Sequence, residues 1–112
     1  MNYFGFALAD SMFEGECTVK RTPLSIDDVK GILDGSIESC LNPSHGATIQ
    51  AMNNRFGLHV AIPETPPKVT LRSGDSIVVM GVRGLARLTD RHEYTEEEIA
   101  AASFNFSKYS VE

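Results

Sequence analysis

Apolar residues recur along this chain at two spacings. Ile26, Val29 and Leu33 fall three and then four residues apart, as do Ile49, Met52 and Phe56. That spacing lines one face of a helix. Ser25 can cap the first helix, with Asp27 and Asp28 favouring its positive end, and Gly35 is positioned to end it in the left-handed conformation. The second helix is predicted over residues 43–56. Asn42 is its N-cap, Pro43 its first residue and Gly57 its stop.

Other stretches read as strands: residues 3–9, residues 16–21 with Cys17 and Val19 on one face, and residues 36–41, 68–71 and 76–83. Within 76–83 the run Ile77-Val78-Val79-Met80 is continuous rather than alternating, which predicts cover on both faces. Ser73-Gly74-Asp75 is a turn, and residues 63–67, with three prolines, are extended. Thr95 to Glu98 is a capping box that opens a short helix through residue 102. Residues 103–111 form a last strand. Phe104 and Phe106 share one face and Tyr109 and Val111 the other, which a bulge or twist near Ser107 would reconcile. The order β-β-α-β-α-β-β-(β)-α-β defines an α+β fold: one domain over residues 1–112, with a mixed, mainly antiparallel sheet, two main helices and a short C-terminal helix. An aromatic last strand at a sheet edge would call for a partner, so a dimer or larger homo-oligomer is expected.

Composition narrows the function. Apolar residues make up 42% and charged residues 22% of 112, ordinary for a folded domain. A net charge of −5 disfavours general binding to DNA or an anionic membrane, yet allows a local basic pocket. No apolar run reaches the roughly 18 residues of a membrane span, and the N-terminal residues lack a basic signal-peptide region, so a cytosolic protein is expected. Cys17 and Cys40 have no CxxC spacing and read as two buried free thiols rather than metal ligands.

Two segments carry candidate chemistry. Asn42-Pro43-Ser44-His45 sets a histidine in the first turn of a helix, where backbone N–H groups favour anions and an imidazole can transfer a proton. The plainer alternative is a histidine that bonds only the backbone. Arg83, Arg87 and Arg91 are spaced by four and would share one face if the chain stays extended, although Gly84 is placed to break that register. Guanidinium groups bind phosphate bidentately and stack on purines. The alternative is solvated arginines paired with Asp90, Glu93 or residues 96–98. Phe56 is a candidate ring for base stacking or a core residue.

The segment Ser44-His45-Gly46-Ala47-Thr48, the turn Ser73-Gly74-Asp75 before Ile77 to Met80, and Arg87-Leu88-Thr89-Asp90 followed by Thr95-Glu96-Glu97-Glu98-Ile99 occur in one order. Together, over roughly residues 2–111, they resemble a small viral family. One branch comprises anti-CRISPR ring nucleases, which cleave cyclic tetra-adenylate. Another comprises phage Thoeris anti-defence sponges, which sequester cyclic ADP-ribose isomers and, in some members, small cyclic oligonucleotides. The resemblance implies a cyclic-nucleotide-binding domain acting in the cytoplasm of an infected bacterial host, without metal or cofactor. Its ligand set would be Asn42, His45, Thr48, Phe56, Arg83, Arg87 and Asp90, at a subunit interface of a dimer or hexamer. The nuclease branch implies His45 as general acid, with Arg87 and Asp90 beside it. That branch has a glycine where this chain has Ser44, and the extra Arg83 is similar to the sponge branch.

Overall fold

The computed structural model of the chain describes residues 1–35, 37–65, 67–84 and 94–112, and the backbone but not the side chain of Ser44. Five strands and three α-helices follow one another as β1 (Asn2–Gly5), β2 (Val19–Leu24), α1 (Ile26–Leu33), β3 (Glu38–Ser39), α2 (Gly46–Phe56), β4 (Ser76–Arg83), α3 (Glu96–Ala101) and β5 (Ser103–Val111). They form one sheet in the order β2-β5-β4-β1-β3. β1 runs parallel to β3 and β4, whereas β5 is antiparallel to both β2 and β4. The antiparallel ladders are the long ones, so the sheet is mixed and mainly antiparallel, in the expected α+β class.

Each helix has local causes. Ser25 Oγ accepts from the Asp28 N–H at 3.1 Å, and Asp28 returns a bond to the Ser25 N–H at 3.0 Å, closing a capping box at α1. These bonds hold the Asp28 carboxyl below its ordinary pKa. Thr95 and Glu98 repeat the arrangement at α3. Gly57 ends α2 at φ 66°, a left-handed conformation that suits glycine. Gly35 does not do the same for α1. That helix closes on Asp34 in right-handed geometry, and a tight Gly35 N–H to Ile32 C=O bond completes the turn.

The sheet has a separate core on each face. On one face Phe4, Val78, Met80 and Phe106 pack beneath Val29 of α1 and Ile49 and Met52 of α2. On the other, Ile77 and Val111 are covered by Val69 and Leu71, with Met12 and Phe13 beside them. This division removes the need for a bulge in β5. Its register with β4 and β2 is unbroken from Ser103 to Val111. Phe104 and Phe106 face the helices at one end of the strand, and Tyr109 and Val111 face the loop layer at the other. The same strand is not an edge. It lies between β2 and β4, so its aromatic residues pack within the chain, Phe106 buried and Phe104 and Tyr109 half-buried, and the edges among the described residues are β2 and β3.

Three further expectations change. Residues 68–71 form no strand. Instead they lie over the sheet, tied by the Leu71 N–H to the Met12 carbonyl at 2.6 Å. The first and second strands shift to Asn2–Gly5 and Val19–Leu24, and the third shortens to Glu38–Ser39. Cys17 is exposed, while Cys40 is half-buried and donates its thiol to the Phe4 carbonyl at 3.3 Å. Burial pushes the Cys40 thiol pKa up, away from nucleophilic use.

Candidate functional site

The parallel strands β1 and β3 end side by side, and the chain leaves β3 through residues 40–42 into a 3₁₀ turn, Pro43–His45. The Asn42 carbonyl accepts from the His45 N–H at 3.0 Å, so Asn42 starts this turn and not the α-helix itself. α2 begins at Gly46 with His45 as its N-cap, at φ −101° and ψ 17°. The expected helix start thus moves by three residues. Pro43 sets φ for a tighter turn, and Gly46 lets the chain enter the helix. His45 makes no capping hydrogen bond through its side chain, so the amides of residues 46–48 are not capped from that position. Thr48 sits half-buried in this first turn, one residue before the buried Ile49.

His45 has a neighbour that sequence reasoning did not find. Phe6, the residue after β1, lies against its imidazole with ring centres 4.6 Å apart and planes within 12°. Phe6 is half-buried and packs against the helix-side core, whereas His45 is exposed. Among the described residues the imidazole has no hydrogen-bond partner and no second ring contact. The only sequence signal was the aromatic character of residues 3–6, which also fits a plain buried strand.

Arg83 ends β4 at the same end of the sheet. Val79 pairs with the last residue of β1, and β4 continues four residues further, about 13 Å at strand rise. Gly84 follows at φ 83°, so the extended run that would align Arg83 with later arginines stops there. Strand alternation places Arg83 on the face of Ile77 and Val79, and it is exposed. Arg87 and Asp90 lie outside the described residues.

Phe56 closes α2 on the opposite, helix-covered face. Its ring meets Phe104 at 5.6 Å and Phe106 at 5.8 Å, both edge-on, and the Arg55 guanidinium lies 5.8 Å from its centre. Arg55 also donates to the Ala100 carbonyl near the end of α3 at 3.4 Å, a favoured place for a cation. The structure therefore brings Asn42, His45 and Thr48 together, adds Phe6 to them, and places Phe56 and Arg83 on different faces of the sheet.

A cleft lies elsewhere among the described residues. It has a volume of about 560 Å³ and is walled by Lys30 and Leu33 of α1, by its C-cap Asp34, by Ile37, and by the segment of Leu58 to Val60. Asn53 holds that segment by bonding both the N–H and the carbonyl of Val60 at 3.1 Å. Among the described residues no group of three or more His, Cys, Asp or Glu could hold a metal ion. No helix among them is long and apolar enough to cross a membrane.

No protein-family model and no curated protein matches the chain. Its fold is that of a solved viral protein, B116 of Sulfolobus turreted icosahedral virus (STIV). The two superpose with a TM-score of 0.70 over 97% of each chain, at 19% sequence identity. At that identity the likeness is one of fold.

Proposed function

We propose that the protein is a phage anti-defence sponge. It binds and sequesters cyclic nucleotide immune signals, cyclic ADP-ribose isomers first and small cyclic oligonucleotides as further ligands, without cleaving them, in the cytoplasm of the infected bacterium. One observation carries this reading: an exposed imidazole, stacked on Phe6 and making no capping bond of its own, stands at the start of α2 beside the carboxyl ends of β1 and β3. Ligands favour such strand ends in α/β sheets, and helix-start amides favour phosphate. The viral fold of the chain fits the same reading.

In this reading residues 46–48 and Asn42 offer polar groups to phosphate or ribose, and Arg83 and Arg87 offer guanidinium groups. Asp90 orients an arginine or accepts from a ribose hydroxyl. Arg83 projects from the face opposite the helices, so it would meet a ligand held against His45 of another chain, in a homo-oligomeric site. A sponge removes its signal by mass action, so it must bind tightly and release slowly.

A second reading has its own support. The ring nitrogens of His45 have no hydrogen-bond partner among the described residues, and are open to proton transfer. In a ring nuclease a ribose 2′-hydroxyl would attack the adjacent phosphate, His45 would protonate the leaving 5′-oxygen, and Arg87 would stabilise the developing charge. One experiment separates the two. The protein is incubated with cyclic ADP-ribose isomers or cyclic tetra-adenylate and then heat-denatured, and the released nucleotide is separated by chromatography. Intact nucleotide, one per site, is the result expected of a sponge. Linear products in excess of protein, abolished by His45→Ala, identify a nuclease. Neither retention nor product overturns both readings.

A further inference from the structure

Resting on the sponge reading above, we infer that the Phe6–His45 pair is the base-binding platform of the site, and that the ligand's purine stacks on the outer face of the His45 ring.

The geometry is that of a platform with one side occupied. The two rings lie nearly parallel, 12° apart, at a centre separation of 4.6 Å. Phe6 is anchored from behind by the helix-side core, which fixes its plane and, through the stack, that of the imidazole. His45 is exposed, and among the described residues no ring stacks on its second face. A flat apolar ring gains by covering such a face, and bases stack on aromatic side chains with little regard to sequence. Phe56 lacks this geometry. Both of its ring contacts are edge-on contacts with other phenylalanines, and it packs against the core. A base stacked on His45 would also carry its sugar and phosphates beside the amides of residues 46–48. Recognition would then divide between a ring that holds the base and a helix start that holds the phosphate.

The test follows base protons by NMR. Adenosine 5′-monophosphate is titrated into native protein, with ribose 5-phosphate as the probe that lacks a base. Stacking moves the adenine H2 and H8 signals upfield. Those shifts are expected with native protein and with Phe6→Tyr and His45→Phe, which keep the rings. They are expected to vanish with Phe6→Leu and His45→Leu. Ribose 5-phosphate should bind all five proteins alike. Isothermal titration with cyclic ADP-ribose should show binding about five- to a hundredfold weaker in Phe6→Leu. Folding of each variant is checked by its far-ultraviolet spectrum and melting temperature, and His45→Leu, at an exposed position, keeps the test valid if Phe6→Leu unfolds. Equal upfield shifts in native protein and Phe6→Leu would overturn the platform, as would shifts of Leu33 and Ile37 methyls in the 560 Å³ cleft in place of the base shifts. If base shifts are present but cyclic ADP-ribose and cyclic tetra-adenylate are not retained, the sponge reading falls and the platform stands.

Discussion

Two phenylalanines of this chain touch aromatic neighbours in opposite ways. Phe56 meets Phe104 and Phe106 edge-on at the end of α2, where three rings interlock over the sheet. Phe6 lies flat on His45, with core behind it and an exposed ring in front. Edge-on packing fills volume in three dimensions. Flat stacking leaves a planar surface that a further ring can extend. Helical periodicity singles out Phe56, because it counts turns from Ile49 and Met52. It passes over Phe6, whose partner lies in a different element.

Phe106→Ala removes the buried member of the interlocked set and should cost about 3–5 kcal/mol in urea denaturation. Phe6→Leu, which keeps most of the apolar volume, should cost less than about 1.5 kcal/mol. Equal losses would make Phe6 a core wedge like Phe106. Phe56→Leu should lower stability while leaving the adenine proton shifts intact. Loss of those shifts in a folded Phe56→Leu protein would return Phe56 to the ligand site.

Asn53 sharpens the contrast next. Its amide substitutes for a neighbouring strand by pairing with both polar groups of Val60. Asn53→Ala should cost about 1–3 kcal/mol and leave the Phe6–His45 stack, read from the His45 ring-proton shifts, where it is. Smaller still, Thr95→Ala and Ser25→Ala each remove a helix cap and should cost about 1 kcal/mol by the same denaturation measurement. Thr95→Ala loosens the helix that Arg55 grips, so it should be felt at Phe56. Ser25→Ala lies in α1 and serves as its control.

The smallest effect is one of pH. The Ser25 hydrogen bonds lower the folded-state pKa of Asp28 below its ordinary 3.8. Their stabilisation is therefore complete above 3.8 and is lost as pH falls through the folded value. Asp28→Asn should flatten that part of the acid-unfolding curve in denaturation midpoints measured across pH, while leaving the His45 platform unaltered.

Much of the fold was legible where a local rule acts on contiguous residues. β4 and β5 keep their expected bounds, Ser25 caps α1, the Thr95 capping box forms, Gly57 ends α2, and Gly74 turns the chain at φ 91° before β4. What was not legible depends on partners distant in the chain. The face switch within β5 reads as a bulge until the loop layer of Val69 and Leu71 is known to cover the other side. The same apolar content that suggests an exposed edge also suits a strand held between two others, and sequence alone does not choose. Residues 68–71 have strand propensity but spend it on packing. Of the site, the helix start and His45 were visible through Asn42-Pro43, though the 3₁₀ turn moved the cap. Phe6 was hidden because a stacking contact has no period.

The place of β5 between β2 and β4 also bears on how the chain is made. Val19 pairs with Val111, far apart in the chain, and among the described residues β2 has no strand partner except β5. Strands β1, β3 and β4 and the helices between them can assemble as residues up to 83 emerge from the ribosome. β2 must wait, unpaired, until residues 103–111 have cleared the exit tunnel. Long-range pairing of this kind slows folding and leaves a strand edge open in the meantime. Truncation within Phe104 to Val111 would accordingly disrupt two ladders at once, β5 with β4 and β5 with β2, and detach β2 from the sheet.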